Sequence, residues 1–103
     1  MSTETACVVK VDYIGVIHHV LESTEEECIV PVGSTIKGLL QRLVKRHGQD
    51  FAACLFTPDG QLNHTVKVFL NNKDINRLQG LDTPITGKTQ VYIVVGLMLI
   101  QGG

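Results

Sequence analysis

The stretch CIVPVGSTIKGLLQRLVKRHG, residues 28–48, decides the architecture. Its first five residues, Cys28 to Val32, are apolar and largely β-branched, and they read as a strand. Pro31 has no N–H to give to a ladder, which puts this strand at a sheet edge. Gly33-Ser34 then breaks the pattern and supplies an N-cap, because a serine hydroxyl accepts from an unpaired first-turn amide. Ile36, Leu39, Leu40, Leu43 and Val44 recur at helical spacing and form one apolar stripe. Lys45-Arg46-His47 falls in the last turn, where positive charge complements the helix dipole and no ligand is needed to explain it. Gly48 closes the helix as a left-handed cap. Gly38, in mid-helix, costs about 1 kcal/mol against alanine, which predicts close packing of the helix on a sheet.

The flanking sequence supplies that sheet. Val8 to Ile14 is a first strand, with Cys7, Val9, Val11 and Tyr13 on one face and Lys10 and Asp12 on the other. Gly15 loosens the backbone after it. His18 to Glu27 is a polar connection with room for a turn of helix, and Glu25-Glu26-Glu27 reads as a solvated loop. Phe51 to Phe56 is a short extended or helical piece, followed by a Pro58-Asp59-Gly60 turn. Val66 to Leu70 is a third strand, ended by Asn71-Asn72. Residues 73–87 are irregular, broken by Gly80, Pro84 and Gly87. Val91 to Val95 is a final strand whose unbroken apolar character predicts burial on both faces and a central place beside the first strand. The expected class is α+β: a mixed sheet of four to five strands packed on one main helix.

Composition bounds the function. A chain of 103 residues has room for one core. Its formal net charge of -1 gives no electrostatic case for nucleic acid or an anionic membrane. Val91 to Ile100 is far shorter than the roughly 18 apolar residues of a membrane span, and Met1 to Thr5 does not resemble a signal peptide, so a cytoplasmic location is expected. Cys7, Cys28 and Cys54 form no CxxC pair and cannot all be paired, which favours free thiols, buried at Cys7 and Cys28. His18-His19, His47 and His64 lack the spacing of a zinc site, and no metal is expected. No nucleophile elbow or phosphate loop is present.

The most suggestive feature is Gly102-Gly103 after the apolar run. With 10 glycines in 103 residues, a random sequence closes on two of them about one time in a hundred. Without a Cβ, such a tip is thin and sterically open, able to enter a narrow channel in another protein.

From Asn71 onward the sequence resembles a known family. Asn71-Asn72-Lys73-Asp74-Ile75, then Leu78-Gln79-Gly80-Leu81-Asp82-Thr83-Pro84-Ile85, then a strand and Gly-Gly, resemble the MoaD/ThiS family of sulfur-carrier proteins. Val30-Pro31-Val32-Gly33-Ser34-Thr35-Ile36 with Leu39-Leu40 is similar to the family's strand-to-helix junction, and the resemblance covers residues 8–103. It implies a ubiquitin-like β-grasp at residues 8–95, between a flexible N-terminus at 1–7 and a tail at 96–103. It further implies a carrier and not an enzyme. The Gly103 carboxylate would be adenylated by an ATP-using partner of the MoeB/ThiF type and converted to a thiocarboxylate for cofactor biosynthesis, molybdopterin being the favoured type. Gly102 would keep the tip thin, Leu97, Leu99 and Gln101 would dock in the partner, and the chain itself would bind no cofactor. A larger synthase subunit is a further partner the resemblance allows.

Two departures from the family's pattern bear on the acyl group's destination. Thr86-Gly87-Lys88-Thr89 stands where the family commonly has an acidic D-G-D turn, and the tail is longer, more apolar and free of proline. The tail therefore also resembles that of ubiquitin-like modifiers joined to lysines. A noncovalent β-grasp interaction module is the remaining alternative.

Overall fold

In the computed structural model, which describes residues 6–21 and 23–96, the first strand runs from Ala6 to Gly15 (β1) and pairs antiparallel with Glu25–Pro31 (β2). Helix α1 (Ile36–His47) and a short helix α2 (Gln49–Leu55) follow. Then come β3 (Val66–Leu70), a two-residue β4 (Lys73–Asp74) and β5 (Thr89–Val95). The five strands form one mixed sheet in the order β2-β1-β5-β3-β4, with β5 parallel to β1 and antiparallel to β3. The last strand is thus central and beside the first, as its apolar sequence requires. The strand containing Pro31 lies at an edge, where a missing N–H costs the ladder nothing.

Alternation sorts the side chains. Cys7, Val9, Val11 and Tyr13 of β1, Cys28 and Val30 of β2, and Val91, Ile93 and Val95 of β5 all face inward and are buried. They meet Ile36, Leu39, Leu40 and Leu43 of α1, each with no exposed surface. Val44, at the margin of the stripe, is half-buried against this core. The outer face of β5 is only half-buried at Gln90, Tyr92 and Val94, so the expectation of two fully buried faces is corrected. Both helices pack on the inward side of the sheet, through Leu39, Leu40 and Leu43 of α1 and Phe51 and Leu55 of α2.

Several local readings also change. The N-cap of α1 is Thr35, not Ser34: the Thr35 hydroxyl accepts from the Gly38 amide at 3.2 Å. Ser34 is occupied by backbone bonds, donating to the Pro31 carbonyl and accepting from the Ile85 amide at 2.7 Å. Gly48 does have positive φ (96°), but its ψ of -167° is extended and not helical. It ends α1 by donating to the Val44 carbonyl and starts α2 by accepting from Ala52. The segment read as extended or helical is therefore helix, fixed by the wholly buried Phe51 and Leu55. Asn71 and Asn72, at φ of 48° and 77°, form the two-residue connection that folds β4 back on β3.

Gly38 is not pressed against the sheet. A Cβ built there meets nothing nearer than the Thr35 hydroxyl oxygen at 3.8 Å, an ordinary contact. Gly38→Ala should therefore stabilise the domain by about 1 kcal/mol, read as a rise in the urea midpoint; a fall would contradict this placement of the helix.

Candidate functional site: the exit of the last strand

The expected site residues Gly102, Gly103, Leu97, Leu99 and Gln101 lie outside the described residues. The structure does show how the chain is held where it leaves the sheet. Val95 is flanked by Gly15 of β1 and Val66 of β3. The Gly96 amide donates to the Thr65 carbonyl at 2.8 Å, so the backbone is anchored to the last described residue. On the other flank, Gly15 sits at φ 99°, ψ -152°, a region open to glycine alone. A Cβ on Gly15 would stand 2.2 Å from the Val95 carbonyl oxygen. This glycine does not merely loosen the backbone; it lets β1 approach the departing strand closely.

The outer face of the sheet beside this exit mixes apolar side chains with exposed Lys67, which pairs with Val94, and with Asp12, which pairs with Tyr92. Ile14, which is 45% exposed, pairs with Val94, and half-buried Tyr92 pairs with half-buried Phe69. Along the strands Lys10 meets Glu25 at 3.4 Å and the Gln90 side-chain amide donates to Asp12 at 2.6 Å, and beyond them Val8 and Ile29 form an exposed apolar pair.

Beneath the sheet lies a polar cluster. Glu25–Glu27 opens β2 and is not a loop, which corrects the sequence reading. Strand alternation then turns Glu26 inward with Cys28 and Val30. The Tyr13 hydroxyl donates to Glu26 Oε2, Arg46 Nη1 donates to Oε1 at 2.6 Å, and His47 Nε2 lies 2.6 Å from Oε2. Arg46 also donates to the Glu27 carbonyl at 3.1 Å. Phe51 closes the cluster from below, edge-on to the Tyr13 ring with centroids 5.9 Å apart and tilted against His47 at 5.0 Å. The basic end of α1 thus meets its own helix dipole and also clamps the edge strand to the helix.

Electrostatics follow from this geometry. Burial favours the neutral acid at Glu26, but hydrogen bonds from Tyr13, Arg46 and His47 outweigh it and hold the carboxyl below its ordinary value. Burial, then the bond to Glu26, pushes the Tyr13 phenol well above its ordinary range. Because the folded-state value of Glu26 is depressed, its contribution is fully present above its ordinary value and is lost as pH falls through the lowered one. The urea midpoint of the native chain should therefore fall more steeply between about pH 5 and 3 than that of Glu26→Gln; equal slopes would contradict the clamp.

Cys7 and Cys28 are buried and Cys54 is half-buried, all three as free thiols. Burial raises the thiols of Cys28 and Cys54, so they resist forming the nucleophilic thiolate. Among the described residues no group of three His, Cys, Asp or Glu side chains is placed to hold a metal ion. His64 is exposed. No described helix is long and apolar enough to cross a membrane.

Sequence reasoning missed Glu26 and Gly15. The signal for Glu26 was its even spacing with Cys28 and Val30, hidden by three successive charges. For Gly15 no local signal exists, because the close approach is to a strand 80 residues away.

The fold is shared with several solved structures. The small archaeal modifier protein 1 of Haloferax volcanii superposes with a TM-score of 0.75 at 16% identity, covering 88% of this chain and 99% of that one. A putative molybdopterin converting factor subunit 1 from Pyrococcus furiosus gives 0.69 at 21% identity, covering 88% and 99%. CysO in the BexX/CysO complex of Amycolatopsis orientalis gives 0.71 at 17% identity, covering 88% and 98%. No curated protein matches by sequence. The ThiS family model matches residues 11–95, from the middle of β1 to the last residue of β5. The strand-to-helix junction, the 71–85 loop and the central last strand all fall inside that match, and the chain belongs to the ThiS family of ubiquitin-like sulfur carriers.

Proposed function

We propose that this chain is a sulfur carrier whose Gly103 carboxylate is activated and converted to a thiocarboxylate, in the service of molybdopterin-type cofactor biosynthesis. The observation that supports it most is the ThiS match over residues 11–95, on a fold whose central strand is the last described element before Gly102-Gly103 in the sequence. A carboxylate is a poor electrophile. In the proposed route its oxygen attacks the α-phosphorus of ATP, pyrophosphate leaves, and the acyl-adenylate carries a good leaving group. Sulfide then adds to the carbonyl carbon and AMP departs, leaving the thiocarboxylate.

In this scheme the chain provides the reacting atom and its positioning, and an adenylating enzyme of the MoeB/ThiF type provides ATP binding and catalysis. The chain holds no cofactor of its own. Its anchored strand and Gly-Gly tip suit delivery into a deep site, while exposed Ile14 and Lys67, on either side of half-buried Val94, give a partner both an apolar and a charged group to grip. A larger synthase subunit would take the sulfur, and the reaction is placed in the cytoplasm.

A second reading is conjugation to protein lysines. It draws on the apolar, proline-free tail and on the likeness to an archaeal modifier. Both readings share the adenylation step. Adding one alanine after Gly103 should abolish ATP–pyrophosphate exchange with the activating enzyme while leaving the urea midpoint unchanged; undiminished exchange would overturn both.

A further inference from the structure

Charge is distributed unevenly along this chain. No acid stands between Glu27 and Asp50, whereas α1 carries Lys37, Arg42, Lys45 and Arg46, four of the nine lysines and arginines. All ten acids lie outside the helix. The buried stripe of Ile36, Leu39, Leu40 and Leu43 fixes α1 against the sheet. The opposite face, with Lys37, Arg42 and Lys45 exposed, is therefore turned away from it. Arg46 is held by Glu26. Among the described residues, no acid lies within ion-pair distance of Lys37, Arg42 or Lys45.

This face weakens the helix in three ways that the fold does not require. Lys37 stands in the first turn, where the helix dipole disfavours a cation. Arg42 repels Lys45, three residues on, and Arg46, four residues on. Gly38 is a poor helix former at a position where a Cβ would meet nothing nearer than 3.8 Å. What Gly38 does supply is depth: with Pro31, Ser34, Gln41, Arg42 and Lys45 it lines an open groove of about 520 Å³. Local features that work against an element, with no structural need for them, mark a functional surface.

We infer that this groove and its flanking cations bind an acidic segment of another protein. From Lys37 to Lys45 the helix rises about 12 Å, the span of about four extended residues. Carboxylates on such a segment complement Lys37, Arg42 and Lys45, while the glycine floor admits its backbone. Nucleic acid suits the face poorly. None of the groove's lining residues is aromatic, so no base has a ring to stack on. Exposed Glu27 and Asp50 border the basic face and repel a longer polyanion. Because the face is turned from the sheet, its occupant does not cover β5. On the carrier reading, on which only this consequence rests, a second protein holds the chain while the activating enzyme takes the tail.

The test uses the full chain and N-acetylated hexaglutamate, followed by amide NMR. The amides of Gly38, Gln41, Arg42 and Lys45 should shift most, and the shifts should shrink as salt is raised. Arg42→Glu/Lys45→Glu should weaken binding about tenfold, from two lost pairs and the repulsion that replaces them. Lys73→Glu/Lys88→Glu makes the same change in net charge elsewhere and should bind as the native chain does. Gly38→Gln, a better helix former, should raise the urea midpoint and still weaken binding by filling the groove. Unmoved α1 amides, equal affinity in the two double variants, or undiminished binding by Gly38→Gln would overturn the inference. So would tighter binding of hexauridylate RNA than of hexaglutamate. No activating enzyme is present, so failure here leaves the carrier reading standing.

Discussion

Gly15→Ala should lower the stability of the domain by about 3 kcal/mol, at the upper end of the strain carried by a side chain in a glycine-only backbone region. For a domain of this size that corresponds to a fall in Tm of roughly 12–24 °C. Two effects combine. The φ of 99° is disfavoured for any L-residue, and the new Cβ would lie 2.2 Å from the Val95 carbonyl oxygen, 3.1 Å from its carbon. Both contacts are with backbone, so neither is relieved by a rotamer change. β1 and β5 must separate at the point where the tail departs. Thermal unfolding measures this directly; a loss below about 0.5 kcal/mol, the ordinary scatter of surface substitutions, would show that the strands do not approach as described.

Phe51→Ala should cost about 3–5 kcal/mol, the usual range for truncating a buried aromatic. Phe51 has no exposed surface and touches both Tyr13 and His47, so truncation opens a cavity under the clamp that holds β2 to α1. Since a typical domain has only 5–15 kcal/mol in total, the variant should be partly unfolded well below the native Tm. Denaturant titration checks the value. Phe51→Leu, which keeps most of the volume, should lose much less. Comparable losses in the two variants would mean that the ring contacts with Tyr13 and His47, and not the filled volume, hold α2 in place.

Together these variants separate folding from delivery. Phe51 packs on the ring of Tyr13 inside the core, whereas Gly15 abuts the Val95 backbone itself. At a temperature where both variants remain folded, only the Gly15 change should impair activation of the tail.

How much of this was legible beforehand follows from the range of the interactions. The α1 stripe and the alternation in β1 are local patterns, and Ile36, Leu39, Leu40, Leu43, Val9 and Val11 all occupy the core they indicate. The 79–85 motif that carried the family resemblance has a physical basis the sequence alone does not display. Thr83 is buried, its hydroxyl donating to the Gly80 carbonyl and accepting from the Gln79 amide. The Thr83 carbonyl accepts from the Ile36 amide, Pro84 bridges to Thr35, and Ile85 enters the core. The loop looks irregular because its order comes from docking on the start of α1.

The same explanation covers what was misread. Three adjacent glutamates suggest solvent, yet Glu26 is drawn inward by a tyrosine, an arginine and a histidine from other elements. Thr35 replaces Ser34 as the cap because the backbone of Ser34 is bound to the 80–85 loop. β4 is two residues long and depends on the Asn71-Asn72 connection, too short to register as a strand pattern. In each case a partner distant in sequence decides the local outcome.

The central claim concerns a single atom at Gly103. The full chain should be incubated with a MoeB/ThiF-type enzyme from the same organism, ATP and sulfide, and its intact mass recorded and fragmented. Exchange of one oxygen for sulfur has the same nominal mass as oxidation of Met1 or Met98, so the gain must be assigned to a residue. The account predicts that it is ATP-dependent and confined to Gly103. No gain at Gly103, with the enzyme active on another carrier, would contradict it.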